Sequence, residues 1–357
     1  MSKKERDALI DSAKNSEALA GLRVLARERF KIRELRKLLK ASELKCVELD
    51  QAISAYEILK QTNPKQLKIK KQKKKSKPPL TVVALLSDTH SCELITSAET
   101  GGRNEHNLEI GQERMASWTA QLIAMLEAKS KTHSVSLVLG LIGDYLVNAE
   151  MHGADSVRAV DQAMTPLQEV AHLKENCLGP VIRSILSTDI EQIVSVCVPG
   201  NHGRVGQKER YSNEGAWNSN FEGYLLRDLA ATFADSRINW DVSPQAFKSV
   251  QIDGPAPALV FGHGQTVRSN GGVSGLAAPL RSAHIRWAKT WGSPMLINIG
   301  HHHTLSFFWG SGAVNGALCG YSSYAAGRSL GFEPPSQMVY CVDGETGDIE
   351  SISPIYV

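Results

Sequence analysis

Five short apolar runs rich in β-branched residues set the limits on what this chain can fold into. They are LTVVALLS at 80–87, SLVLGLIG at 136–143, IVSVCVPG at 193–200, ALVFG at 258–262 and PMLINIG at 294–300. Runs of five to eight such residues, closed by Gly or Ser, are strand-length rather than helix-length. Helix-patterned stretches separate the first three, at 108–129 and 156–176. Strands alternating with helices predict a layered α/β domain over residues 80–357. GALCGYSS and SQMVYCVDGETGDIESISPIYV predict a weaker, β-rich ending.

Ahead of that domain the chemistry differs. Residues 1–62 are rich in Ala, Leu, Glu, Lys and Arg, and Leu19, Leu22, Leu25 and Ala26 recur at helical spacing, as do Ile32, Leu35, Leu38 and Leu39. Ser42 marks a break before another helical run from Val47 to Leu59. The outline fits a helix-turn-helix, and equally a helical cap or an oligomerisation module. Residues 63–79 form a linker with eight lysines between Lys65 and Lys77, closed by Pro78–Pro79; like-charge repulsion and the Pro pair oppose compact structure there. Residues 1–80 carry 22 Lys and Arg against 10 Asp and Glu, a net of +12, and the rest of the chain a net of −9. The basic part suits a polyanion such as DNA, and the acidic part suits cations.

The composition, 42% hydrophobic and 22% charged, is that of a water-soluble protein. No apolar run reaches the roughly 18 residues of a membrane helix, and MSKKERDALIDSAKNSEA lacks the apolar stretch of a secretory signal. The six cysteines form no CxxC pair, so a disulfide framework is not expected and a reducing cytoplasm is. Cys197 reads as a small buried apolar residue.

Each of the five runs delivers metal-ligand chemistry at its end. The first leads into Asp88-Thr89-His90, the second into Gly143-Asp144, the third into Gly200-Asn201-His202, the fourth into Gly262-His263 and the fifth into Gly300-His301-His302-His303. In α/β sheets ligands gather beyond the carboxyl ends of strands, so one rim receives all five. If the backbone stays extended, Asp88 and His90 share a face, and so do His301 and His303. The glycines before Asp144, Asn201, His263 and His301 allow tight turns. Carboxylate mixed with imidazole suits Mn²⁺, Fe²⁺ or Zn²⁺ more than Ca²⁺, and there are ligands for two ions.

This ordered set, DxH, GD, GNH, GH and GHxH across residues 88–303, resembles the calcineurin-like metallophosphoesterase family. The resemblance implies a sandwich of two β-sheets flanked by helices. It also implies that Asp88, His90 and His303 hold one divalent ion, that Asn201, His263 and His301 hold a second, and that Asp144 bridges them. His202 would face the scissile phosphate as a general acid while a metal-activated hydroxide attacks phosphorus. One departure matters: many family members carry Asp or Glu directly after GNH, and here Gly203-Arg204 follows. That leaves the support of His202 open, with another carboxylate as one candidate. Arg204 is a candidate for a non-bridging phosphate oxygen, or a loop residue facing water. The GNHGR form also resembles phage-encoded members.

The ligand set fixes a reaction class and leaves the phosphoester open. The basic N-terminal segment favours a nucleic-acid phosphodiesterase, a DNA exonuclease; the alternatives are a phosphomonoesterase or small-nucleotide phosphohydrolase, and a non-catalytic scaffold. Asn104 or Asn107 is expected either to cap the helix that follows or to meet substrate. Residues 204–221 are expected to form a polar loop beyond His202, and His302 to pack away from the metals. Arg281, His284 and Arg286 have no assigned element.

Overall fold

The structure, a computed structural model, describes residues 4, 68–69, 77–148, 164–205, 217–252, 255–269, 274–292 and 295–357. The chain divides into two units, Met1–Gln61 and Thr62–Val357. The expected helical module and most of the lysine-rich linker lie outside the described residues. Within that linker, however, Lys68–Ile69 (β1) pairs parallel with Gln251 and Ile252. Backbone hydrogen bonding there overrides the repulsion between lysines.

The second unit holds two six-stranded sheets. The first is built on Pro79–Leu86 (β2), Ser134–Leu141 (β3), Gln192–Cys197 (β4) and Ile238–Asp241 (β5), all parallel. The second contains Phe247–Ile252 (β6), Ala258–Gly262 (β7), Met295–Ile299 (β8), Ser306–Phe308 (β9) and Gly312–Val314 (β10) in the order β1-β6-β7-β8-β10-β9. Of the closing strands, Ser336–Gln337 (β11) and Ile355–Tyr356 (β14) pair with each other. Val339–Asp343 (β12) and Ile349–Ile352 (β13) return antiparallel to the outer edge of β2, giving the first sheet the order β13-β12-β2-β3-β4-β5.

The five apolar runs supply β2, β3, β4, β7 and β8, with ends within a few residues of those expected. Their side chains alternate between two cores, as the period of a strand requires. Val82, Ala84, Leu86, Leu137, Leu139, Leu141, Ile193 and Cys197 pack against helices. Val83, Leu85, Val138, Ile142, Val194 and Val196 face the second sheet, where Val250, Leu259, Phe261 and Leu296 meet them. On the far side of the second sheet, Val260, Ile297 and Ile299 pack against Leu276, Leu280 and Ala283 of a helix, Ser274–Trp291. The architecture is therefore helices, sheet, sheet, helix, the two-sheet sandwich expected. Gly140 lies where the sheets approach; a Cβ there would sit about 3 Å from Leu85 and Phe261 side-chain atoms.

The first helix layer begins with Leu108–Ser130 (α1), capped by the Asn107 side chain, which accepts from the Ile110 amide. This is the capping alternative for Asn107. Asn104 is instead an interior strut: its amide donates to the carbonyls of Cys319 (2.8 Å) and Tyr321 (2.9 Å), and its oxygen accepts from Arg114. The second helical stretch, expected at 156–176, is described from residue 164. It starts at Thr165, whose capping box with Gln168 opens Pro166–His172 (α2), and it runs on through a π-helical turn, Leu173–Leu178, into Gly179–Leu186 (α3). It therefore ends ten residues later than expected, because the π-helical turn carries the helical run through Gly179-Pro180. Phe221–Thr232 (α4) completes the layer, and Ser274–Trp291 is α5, which places Arg281, His284 and Arg286 on a helix. GALCGYSS is not a strand: it forms the loop between β10 and a short helix, Ser323–Gly327 (α6). The five cysteines among the described residues are free and buried, Cys197 in the core as expected. Among the described residues no helix is long and apolar enough to cross a membrane.

Candidate metal centre

Every expected ligand lies just past the carboxyl end of a strand: Asp88 and His90 after β2, Asp144 after β3, Asn201 after β4, His263 after β7, His301 and His303 after β8. All of them except Asn201 fall in three overlapping groups whose ligand atoms lie within 4.8 Å of one another, one of which also takes in His202: Asp88, His90 and His303; His90, Asp144 and His202; Asp144, His263 and His301. His301 and His303 serve different groups, and Asp144 belongs to two.

The backbone achieves this differently from the extended geometry expected of DxH and HHH. Six of the seven described non-glycine residues with φ in the left-handed region line this site: Asp88 (51°), His90 (38°), Asp144 (55°), Asn148 (46°), His301 (69°) and His303 (52°). These left-handed residues follow the strands and break their pleat, so neighbouring ligands reach one centre without the alternation of an extended chain. Such conformations are costly and persist only where the surroundings enforce them. Gly143, at φ +88°, makes one turn possible: a Cβ there would run into the backbone of Gly200, so the GD and GNH loops touch backbone to backbone.

The donor set suits cations. His263 Nδ1 donates to the Ile142 carbonyl (2.8 Å), which orients Nε2, the nitrogen a cation would take in exchange for its proton. Nε2 lies 2.9 Å from Asp144 Oδ2 without the alignment of a hydrogen bond. Burial pulls His263 down, yet the charge of Asp144 overrides it and raises the imidazole to about 9. Burial likewise opposes the Asp144 carboxylate, but His263 and His202 outweigh it and hold the group well below the carboxylate range. His301, buried beside His263, is pushed down to about 3, the state of a neutral ligand. Asn201 Oδ1 is buried and has no hydrogen-bond partner, an arrangement costly enough to need an explanation. On the other side, His90 Nε2 and His303 Nε2 face each other at 3.3 Å, and His303 Nε2 is 3.4 Å from Asp88 Oδ1. Asp88 also accepts from the His301 amide. These residues fit two divalent ions.

His202 projects toward the centre. Its Nδ1 meets the Val147 carbonyl at 2.9 Å, its ring packs edge-on against His90 at 4.6 Å, and its Nε2 is 4.0 Å from Asp144 Oδ2. The half-buried Arg204 guanidinium is pulled down by burial, opposed by the charge of Asp144. His302 lies outside all three groups, its ring against His301. Most of the loop expected at 204–221 lies outside the described residues.

No carboxylate takes the place expected beside His202, whose Nδ1 is held by the Val147 carbonyl; buried carboxylates instead hold the loops around it. Glu222, in the first turn of α4, is fully buried and accepts from the amides of Asp144 (3.0 Å), Tyr145 (2.6 Å), Leu146 (3.1 Å) and Gly200 (2.6 Å). Burial, then Asp144, pushes its carboxyl up to about 7. Glu169 of α2 takes the next two amides, Val147 (2.7 Å) and Asn148 (3.3 Å). Five consecutive N–H groups after Gly143 are thus held by two buried carboxylates. Asn148 passes the order on, donating to the His202 and Arg204 carbonyls at 2.7 Å each. Asn220 caps α4 and donates to Gly200 O. The Gly203-Arg204 departure left the support of His202 open, and a backbone carbonyl fills it; nothing in the sequence pointed to the amide clamp of Glu222.

No protein-family model matches the chain, and no curated protein matches it either. Among solved structures, it is similar to the sulfate thiohydrolase SoxB of Thermus thermophilus in complex with glycerol, at 12% identity and a TM-score of 0.31, over 80% of this chain and 58% of that one. It is also similar to a 5'-nucleotidase of Candida albicans, at 10% identity and a TM-score of 0.33, over 80% of this chain and 53% of that one. The chain spans just over half the length of these two structures.

Proposed function

We propose that this protein is a calcineurin-like metallophosphoesterase that hydrolyses phosphodiester bonds of nucleic acid, acting as a DNA exonuclease. The observation that carries the reaction class is the buried Asp144 carboxylate, within ligand reach of His90 and His202 in one group and of His263 and His301 in another, with a buried, unpartnered Asn201 Oδ1 after the next strand. In this reading Asp88, His90 and His303 hold one divalent ion, Asn201, His263 and His301 hold another, and Asp144 serves both; Mn²⁺ suits the set, with Fe²⁺ or Zn²⁺ as alternatives. Ions held there supply Lewis acidity to a phosphoryl oxygen and lower the pKa of a water. His202, oriented through Nδ1, presents Nε2 to the leaving oxygen and delivers a proton to it. Arg204 takes a non-bridging phosphate oxygen. The Glu222 and Glu169 carboxylates keep the backbone rigid, so the geometry is set before substrate arrives.

The choice of DNA rests on the +12 charge of residues 1–80, which offsets the acidity of the remainder. A reducing cytoplasm is supported by the free cysteines. The test is degradation of end-labelled linear DNA with Mn²⁺ by the full chain, beside His202→Ala and a variant with Lys70, Lys71, Lys73, Lys74 and Lys75 changed to Gln. His202→Ala is expected to lower kcat by about 10²–10⁴-fold, and the lysine variant to flatten the dependence of binding on salt. Turnover of phosphomonoesters with no cleavage of DNA would transfer the assignment to a phosphomonoesterase.

A further inference from the structure

We infer that the segment from Tyr324 to Phe332 is a nucleobase-stacking platform at the mouth of the metal centre, an inference that rests on the nucleic-acid reading above. Within nine residues Tyr324, Leu330 and Phe332 are each 49% exposed, and Arg328 is exposed beside them. A cluster of large exposed apolar side chains marks a binding surface more often than chance.

Both ends of this loop are tied to the metal-centre loops. At its start the Leu318 amide donates to the Asp88 carbonyl (3.0 Å), and Asn104 holds the carbonyls of Cys319 and Tyr321. At its end the Glu333 carboxylate accepts from the Leu305 amide, two residues past His303. At about 3.5 Å per extended residue, Phe332 stays within roughly 20 Å of His303. A short run of nucleotides threaded into the centre covers that distance.

The exposure is built in. Tyr321 is buried beneath the segment; its hydroxyl donates to the Leu330 carbonyl (3.2 Å), and its ring meets that of Phe332 edge-on at 5.7 Å. Ser329 takes a left-handed φ of 52° to bring the chain across. The Arg328 guanidinium lies 5.0 Å over the Tyr324 ring. Exposed rings with a guanidinium among them suit a nucleotide: an aromatic face accepts any planar base, and a guanidinium pairs with a phosphate. Stacking of this kind tolerates every base, so the platform would grip strands without reading their sequence.

The test compares hydrolysis of a single-stranded oligothymidylate with that of a strand of the same length carrying abasic sites, by the wild-type full chain, Tyr324→Ala, Phe332→Ala and Tyr324→Phe. The wild type is expected to prefer the base-bearing strand in kcat/KM by about tenfold. That preference is expected to collapse toward one in the two alanine variants and to survive in Tyr324→Phe. Because the readout is a ratio within one preparation, partial misfolding does not mimic it. A wild type indifferent to bases, or a ratio unchanged by both alanine variants, overturns the platform. If neither strand is cleaved, the nuclease reading falls, and thymidine 5'-monophosphate against deoxyribose 5-phosphate becomes the probe pair. Discrimination lost in the alanine variants then supports the platform, and indifference overturns it.

Discussion

Glu222 offers the sharpest perturbation, because its removal strips four buried amides of one acceptor. In Glu222→Ala the N–H groups of Asp144, Tyr145, Leu146 and Gly200 lose their partner at once. At about 1–3 kcal/mol for each buried donor left unsatisfied, the sum is about 4–12 kcal/mol, and water entering the vacated volume recovers part of it. Even the lower figure is a large share of the roughly 5–15 kcal/mol that holds a typical domain. Glu222→Gln is the more informative variant. It keeps the volume and one acceptor, but its NH₂ must face one pair of donors: Asp144 and Gly200 at one oxygen, or Tyr145 and Leu146 at the other. Two unsatisfied donors set its cost at about 2–6 kcal/mol. Since those donors belong to the loops that carry Asp144 and Asn201, the loss should also appear as weaker Mn²⁺ binding by about 10–100-fold, the usual penalty for disturbing groups that orient ligands. Urea unfolding in chelator measures the first effect, and calorimetric Mn²⁺ titration of the folded variant measures the second. If Glu222→Gln unfolds within about 0.5 kcal/mol of wild type, the range of an ordinary surface change, and binds Mn²⁺ equally well, the clamp reasoning is wrong.

Three further outcomes are expected. Asn201→Ala removes an unpartnered buried oxygen, so the metal-free protein should not lose stability, while the number of Mn²⁺ ions bound in a calorimetric titration drops from two to one; retention of two tight sites would refute the assignment. Asn104→Ala leaves the Tyr321 carbonyl without its donor, while Cys319 O keeps Arg114, and should destabilise the chain by about 1–3 kcal/mol in urea unfolding. Gly143→Ala combines a φ of +88° with a collision against Gly200, so it should fail to give soluble folded protein, whereas alanine at the open, exposed Gly331 should be neutral in the same expression and thermal-melt comparison.

The sequence determined the strands and the candidate ligands, for a local reason. A run such as 136–143 is too apolar to be anything but buried, and the residue that follows its Gly must emerge at a strand end. Asp88, His90, Asp144, Asn201, His263, His301 and His303 were therefore legible as residue types repeated at equivalent ends of five elements. Asn107 was legible as a cap for the same reason, since capping is decided within four residues. What the sequence could not show is which amides would lack partners once the loops folded. Glu222 and Glu169 look like ordinary helical glutamates, and only the packing of α2 and α4 against the first sheet makes them acceptors for five consecutive amides after Gly143. The left-handed backbone of the ligand residues was hidden too, because Asp and His occur there only when surrounding contacts enforce the strain. GALCGYSS read as a strand from its composition; its fate as the loop under Asp88 was decided by Asn104 and Arg114, some 200 residues away, whose hydrogen bonds to Cys319 and Tyr321 outweigh local propensity.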